Sequence, residues 1–197
     1  TQTKYFIEAL LKTGRYSFIC LGGAIKHKDY SPQKVDPWGD DWRIFPIDGY
    51  GNHEIIRSVI QKEQPDVLWF MTDPRFYGWL WEIENEIRAN MPMVYYHVWD
   101  NWPAPVFNGL FYRSTDEMIC ISKVTHAVVQ EVVPEVSSTY LPHAVDPQFF
   151  HQYTAPEEKA RSAMVRERVF KSTNNHSNPD KKLFFWNSRN ARRKQSG

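Results

Sequence analysis

Three short apolar runs, Val67 to Met71, Met93 to Val98 and Met118 to Ser122, constrain the fold of this 197-residue chain more than any other feature. Each lacks the polar alternation of a half-solvated strand, so each reads as a strand buried on both faces. Such strands need helices to cover them, and amphipathic stretches stand between them. Asp73 caps a helix whose first turn holds Pro74, and Phe76, Leu80, Ile83 and Ile87 fall on one stripe before Met91-Pro92. Further helices are expected at about 104 to 113 and 123 to 133, and a strand at Ser138 to Leu141.

The pattern extends toward both ends. Tyr5 to Leu11 reads as a helix stopped by Gly14, Tyr16 to Leu21 and Trp42 to Ile47 as strands, and Glu54 to Lys62 as a helix capped by Asn52. Thr154 and Glu157 form a capping box for a last long helix, with Pro156 in its first turn. Because the chain opens on Thr1 and its first element is already a helix, a preceding strand is expected. The alternation predicts an α/β fold, a Rossmann-like doubly wound parallel sheet with helices on both faces.

Ligands of such sheets bind beyond the carboxyl ends of the strands. Among the segments there, Tyr95 to Pro105 is the richest, placing His97, Trp99, Asp100, Asn101 and Trp102 within six positions. His97 has an imidazole that titrates near neutrality and suits proton transfer or donation to a hydroxyl. Asp100 is placed to hold that imidazole or a sugar hydroxyl, and Trp99 or Trp102 to stack on an apolar sugar face. Taken alone, the same loop also reads as a packed one whose His and Asp satisfy backbone groups. Gly22-Gly23 opens a long polar segment reaching Asp41, read either as a mobile substrate loop or as a disordered insertion. Pro142-His143 follows another strand, where a lone His is more often structural.

Composition excludes several classes. The net charge of +1 argues against a general nucleic-acid binder, which needs a broad basic surface. No apolar stretch approaches the ~20 residues that span a bilayer. Cys20 and Cys120 lack metal or redox spacing and read as buried thiols of a reducing compartment, so a cytoplasmic location is expected. There is no GxGxxG, Walker, Gly-x-Ser-x-Gly or His-Glu-x-x-His motif, and no Asp-x-Asp to hold a metal-bound nucleotide diphosphate. A bound phosphate would therefore be neutralised by side-chain cations.

Those cations gather at the end of the chain. Positions 181 to 197 hold six Lys or Arg residues and no acid, leaving 18 basic against 23 acidic residues upstream. Leu183 to Trp186 reads as a strand leading into a loop with Arg189 and Lys194, a planar fork of donors and a mobile point charge. A basic tail of this kind is more often simply solvated.

In their order these elements resemble the retaining GT-B glycosyltransferases, particularly glycosyltransferase family 4. His97 and Asp100 are similar to that family's His-Asp context after a central strand, with Val98-Trp99 inserted. Ile119 to Lys123 resembles its strand giving a serine before a helix, and Pro142-His143-Ala144-Val145-Asp146-Pro147-Gln148-Phe149 its phrase like Pro-Asn-Gly-Val-Asp followed by Phe. Arg189 and Lys194 keep the family's Arg and Lys spacing, with Ser188 in place of the usual Gly.

The resemblance implies residues 1–150 as an acceptor-side domain, 151–181 as a helix and linker, and 182–197 as the start of a donor-binding domain. It implies transfer of a sugar from a nucleotide diphosphate sugar, a co-substrate, to a saccharide, lipid-linked or other hydroxyl acceptor, with retention and without a metal or other cofactor. Arg189 and Lys194 would neutralise the diphosphate, His97, with Asp100 as the second catalytic residue, would face the donor sugar or help orient the acceptor from across the cleft, and Gly22, Gly23, Asp73, Trp99, Asn101 and Trp102 would shape the acceptor site. Peripheral membrane contact stays open. The remaining donor domain would lie beyond Gly197, so no transfer by residues 1–197 alone is expected. Two other readings remain: a non-catalytic nucleotide- or sugar-binding module, and a GT-B-fold sugar-nucleotide epimerase or hydrolase.

Overall fold

A computed structural model describes residues 2–24 and 26–172. The chain divides into two units, Thr1–Val145 and Asp146–Gly197. The expected strand at 183–186, with Arg189 and Lys194, lies outside the described residues.

The first unit begins with α1 (Gln2–Leu11), whose Ile7 and Leu11 are buried. Strand β1 (Phe18–Ala24) pairs in parallel with β3 (Gly39–Asp48), and β2 (Gln33–Val35) adds antiparallel to β3, giving a three-stranded sheet in the order β1-β3-β2. Ile7 and Leu11 pack with Trp42 over this sheet, and Phe6 stacks on Trp69 at 4.9 Å between ring centroids. The polar stretch before Asp41 is thus partly an antiparallel hairpin rather than a loop throughout.

Helix α2 (His53–Glu63) starts where Asn52 Oδ1 accepts from Ile55 N at 2.9 Å, and it ends at Gln64, whose φ of 46° turns the chain into the left-handed region. Its buried face carries Ile56 and Val59. Strand β4 (Leu68–Met71) follows and opens a four-stranded, fully parallel sheet in the order β4-β5-β6-β7. Strand β5 is Met93–His97, β6 is Glu117–Cys120 and β7 is Ser138–Tyr140, with Phe70 opposite Tyr95 and Tyr95 opposite Met118. The expected continuous parallel sheet is therefore seen as two hydrogen-bonded sheets, of which the four-stranded one is wholly parallel.

The stretch predicted as one helix after Asp73 is broken into a 3₁₀ turn (Pro74–Tyr77), α3 (Gly78–Trp81) and α4 (Glu84–Arg88). Leu80 and Ile87 are buried as the stripe requires, whereas Phe76 is exposed and stacks on Tyr50 instead. Arg88 donates to Asp116 through Nε at 3.0 Å and Nη2 at 2.8 Å, and Asp116 also accepts from Met93 N at 2.8 Å. One carboxylate so fastens the start of β5 to α4.

Between β5 and β6 the chain forms a 3₁₀ turn (Val106–Asn108) and α5 (Gly109–Arg113). Helix α6 (Lys123–Val132) is capped by Ser122, whose Oγ accepts from Thr125 N at 3.0 Å. The main core joins Ile56, Leu80 and Ile87 from the helices to Phe70, Met93, Tyr95 and Met118 from the strands, with Val129 and Val133 closing it. Each such side chain contributes about 2 kcal/mol by leaving water.

In the second unit, α7 (Pro156–Ser172) is preceded by a cap in which Glu158, rather than Glu157, accepts from Thr154 N and Ala155 N, each at 3.2 Å. Glu158 also meets His151 Nε2 at 2.8 Å.

Candidate functional site

The carboxyl ends of β4 and β5 border a cavity of about 120 Å³ lined by Thr72, Asp73, Arg75, His97, Val98, Trp99, Asp100 and Asn101. Adjacent parallel strands release their chains at the same end of a sheet, so residues 72–75 and 97–101, far apart in sequence, meet there. Asp73, His97, Trp99, Asp100 and Asn101 are thereby brought together. Trp102 does not join them: it is 64% exposed and outside the lining.

His97 is 1% exposed, and both of its ring nitrogens have partners. Nε2 lies 2.7 Å from Tyr112 Oη and Nδ1 lies 3.1 Å from Tyr95 Oη. Tyr95 in turn donates to the carbonyl of Thr72, and Asn108 Nδ2 donates to Tyr112 Oη at 3.3 Å. These roles fix the protons. Since the Tyr95 hydroxyl hydrogen goes to Thr72, its oxygen accepts from Nδ1–H, and Nε2 is then the lone pair that accepts from Tyr112.

Burial pushes the Tyr112 hydroxyl up to about 12 and the Tyr95 hydroxyl upward as well, so both stay protonated. Burial pulls His97 down to about 4, with the nearby Asp73 carboxylate opposing. His97 is therefore a neutral imidazole locked inside the core, and the expected contact with Asp100 is replaced by the two tyrosines. Asp100 is exposed on the cavity wall.

Asp73 behaves as a helix cap and as half of an ion pair. Its Oδ1 accepts from Arg75 N at 3.0 Å and from Arg75 Nε at 2.9 Å, while Oδ2 accepts from Arg75 Nη2 at 2.5 Å. The hydrogen bonds from Arg75 hold its carboxyl below the usual range, against the upward pull of burial. Arg75 is the lining residue that sequence reasoning missed. Its one signal was a cation two positions after the Asp that follows a strand.

The loop carrying Trp99 to Asn101 is held from α6. Thr125 Oγ1 donates to Trp99 O at 2.7 Å, and the Thr125 oxygen meets Ser122 Oγ at 2.8 Å. The Trp99 ring stacks toward His97 at 6.3 Å and meets Phe107 edge-on at 5.9 Å. The cap at Ser122 thus positions a cavity wall as well as a helix.

Gly22 and Gly23 are strand residues paired with Pro46 and Ile47, outside the cavity lining, rather than residues after a strand. A Cβ on Gly23 would stand 2.2 Å from Gly49 O, and one on Gly22 would stand 2.8 Å from Ile44 Cγ2. Close approach of the Gly49 backbone explains Gly23, and close packing of the Ile44 side chain explains Gly22. His143 stacks on Tyr96 at 5.5 Å, a packing role. Among the described residues no group of three His, Cys, Asp or Glu side chains is placed to hold a metal, and no helix is long and apolar enough to cross a membrane.

No family model, curated protein or solved structure matches the chain. What is established is a mixed α/β fold with a four-stranded parallel sheet flanked by helices and a polar cavity at its strand ends.

Proposed function

We propose that this chain is the acceptor-side, Rossmann-like part of a GT-B sugar-transferring enzyme, and that the cavity at the ends of β4 and β5 holds the acceptor's hydroxyl groups. The observation that supports it is the convergence of Asp73, Trp99, Asp100 and Asn101 on one wall-lined space. Carboxylate and amide oxygens accept from sugar hydroxyls, the amide nitrogen donates, and an indole face covers the apolar side of a pyranose. That is the mixture a sugar needs.

In this reading Asp100 is the group that meets the acceptor, and His97 is a positioning residue whose neutral ring keeps β5 and α5 in place. Arg189 and Lys194, outside the described residues, neutralise the diphosphate of a nucleotide sugar. Transfer then proceeds with retention and without a metal.

A second reading is favoured by one observation: with both nitrogens of His97 engaged, the cavity lacks an available imidazole. The chain would then be a sugar-binding module. A donor-consumption assay separates the two, using a protein that joins these residues to a donor-binding domain. Consumption of a nucleotide diphosphate sugar that requires an acceptor and falls with R189A supports transfer. Saccharide binding with no donor consumption supports the module and contradicts transfer.

A further inference from the structure

An uncharged stretch, Asn101 to Tyr112, runs from the cavity wall into α5. Its inner face is fully buried through Asn108 and Tyr112. Its outer face is not covered: Val106 is 76% exposed, Phe107 66% and Leu110 74%, with Trp102 just before them. Positions 106 and 110, and 107 and 110, are one helical turn apart, so these side chains form one patch. A contiguous exposed apolar patch marks a binding surface rather than random surface.

Two features specify the occupant. The patch is continuous with the cavity, because Trp99 lines the cavity and its ring packs edge-on against Phe107. The segment brings no Asp, Glu, Lys or Arg between Asp100 and Arg113, and Arg113, which lies back against Gly109, has its charge met by Glu135 at 2.8 Å. We infer that the patch is a subsite for the alkyl chain of an amphipathic acceptor whose sugar or hydroxyl head sits against Asp100 and Asn101. This rests on the acceptor-site reading above and names its substrate class: a hydroxyl compound joined to a hydrocarbon tail. The tail runs from Trp99 across Phe107 to Val106 and Leu110.

The test uses matched methyl and octyl pyranosides of glucose, galactose and mannose, titrated below the micelle concentration against the chain and a V106S/L110S variant. Both substituted side chains are largely exposed, so the variant keeps its fold. The expected result is that the octyl member of the preferred pair binds about tenfold more tightly than the methyl member, the gain that about two buried methylene groups supply. That gain disappears in the variant, and methyl pyranoside affinity stays unchanged. Equal affinities within every pair overturn the tail subsite and leave the cavity reading standing. A gain that survives in the variant overturns it too, by placing the tail elsewhere. Octyl binding that ignores the sugar, or binding of phosphatidylcholine vesicles without an octyl gain, also overturns it, by making the patch a general lipid face. No binding by any member overturns both readings.

Discussion

Tyr112 Oη stands 2.7 Å from His97 Nε2 in the centre of the core and donates its hydrogen to that nitrogen. The contact joins α5 to the end of β5, and through Tyr95 it continues to the Thr72 carbonyl at the end of β4. A buried imidazole with both nitrogens satisfied is stable only while neutral.

Stability should therefore fall with acid in a window set by His97. In the unfolded chain the imidazole titrates near 6.5; in the fold burial lowers it to about 4. Above pH 6.5 both states are neutral and the stabilisation is full. As pH drops from 6.5 to 4 the unfolded chain binds a proton that the fold refuses, and the contribution declines, reaching a loss of about 3 kcal/mol below 4. Urea unfolding across this range, compared with H97Q, checks it: the variant should show a shallower decline, and an identical slope contradicts the assignment.

Tyr112→Phe leaves His97 Nε2 and Asn108 Nδ2 without their partner in a dry interior, at a cost of about 1–3 kcal/mol. Tyr95→Phe should cost a similar amount by freeing Nδ1–H and the Thr72 carbonyl. Imidazole nitrogen shifts should show the Nδ1–H tautomer in the parent protein. An Nε2–H tautomer contradicts the direction of the chain.

Gly23→Ala should destabilise more than Gly22→Ala. At Gly23 the new methyl meets the backbone carbonyl of Gly49 at 2.2 Å, which must move, whereas at Gly22 it meets a side-chain methyl of Ile44 at 2.8 Å, which can rotate away. About 1–3 kcal/mol is expected for the first and less for the second. Thermal melts check the order, and a Gly22 effect exceeding that of Gly23 contradicts it.

The elements that depend on local chemistry were legible in the sequence. Asn52 announces a helix start because a cap acts within three residues, and Leu68 to Met71 announces a strand by its unbroken apolar run. Most of the cavity was legible from the fold class, since parallel strands put their following residues together. What stayed hidden was non-local. Gly22 and Gly23 look like loop residues until β3 and Gly49 come within reach of them, and β2 is three largely exposed residues with no apolar pattern to reveal it. His97 looked available for Asp100 because the competing hydroxyl of Tyr112 sits 15 positions away on another element.

Thr125→Val preserves shape and removes the hydroxyl that holds Trp99 O. A loss of about 1 kcal/mol is expected, with faster amide exchange through residues 99–105 and weaker saccharide binding. Unchanged exchange in that loop contradicts the claim that α6 positions the cavity wall.

The proposed acceptor site takes sugar hydroxyls beside Asp100. Its most direct measurement is the Trp99 indole resonance during titration with saccharides, in the parent chain and in D100N, where an exposed carboxylate becomes an amide without disturbing the core. A saturable shift of Trp99 that needs about tenfold or more sugar in D100N, the loss of a charge-assisted hydrogen bond, is predicted. A Trp99 resonance that stays still at saturating sugar, or that shifts identically in D100N, contradicts the account.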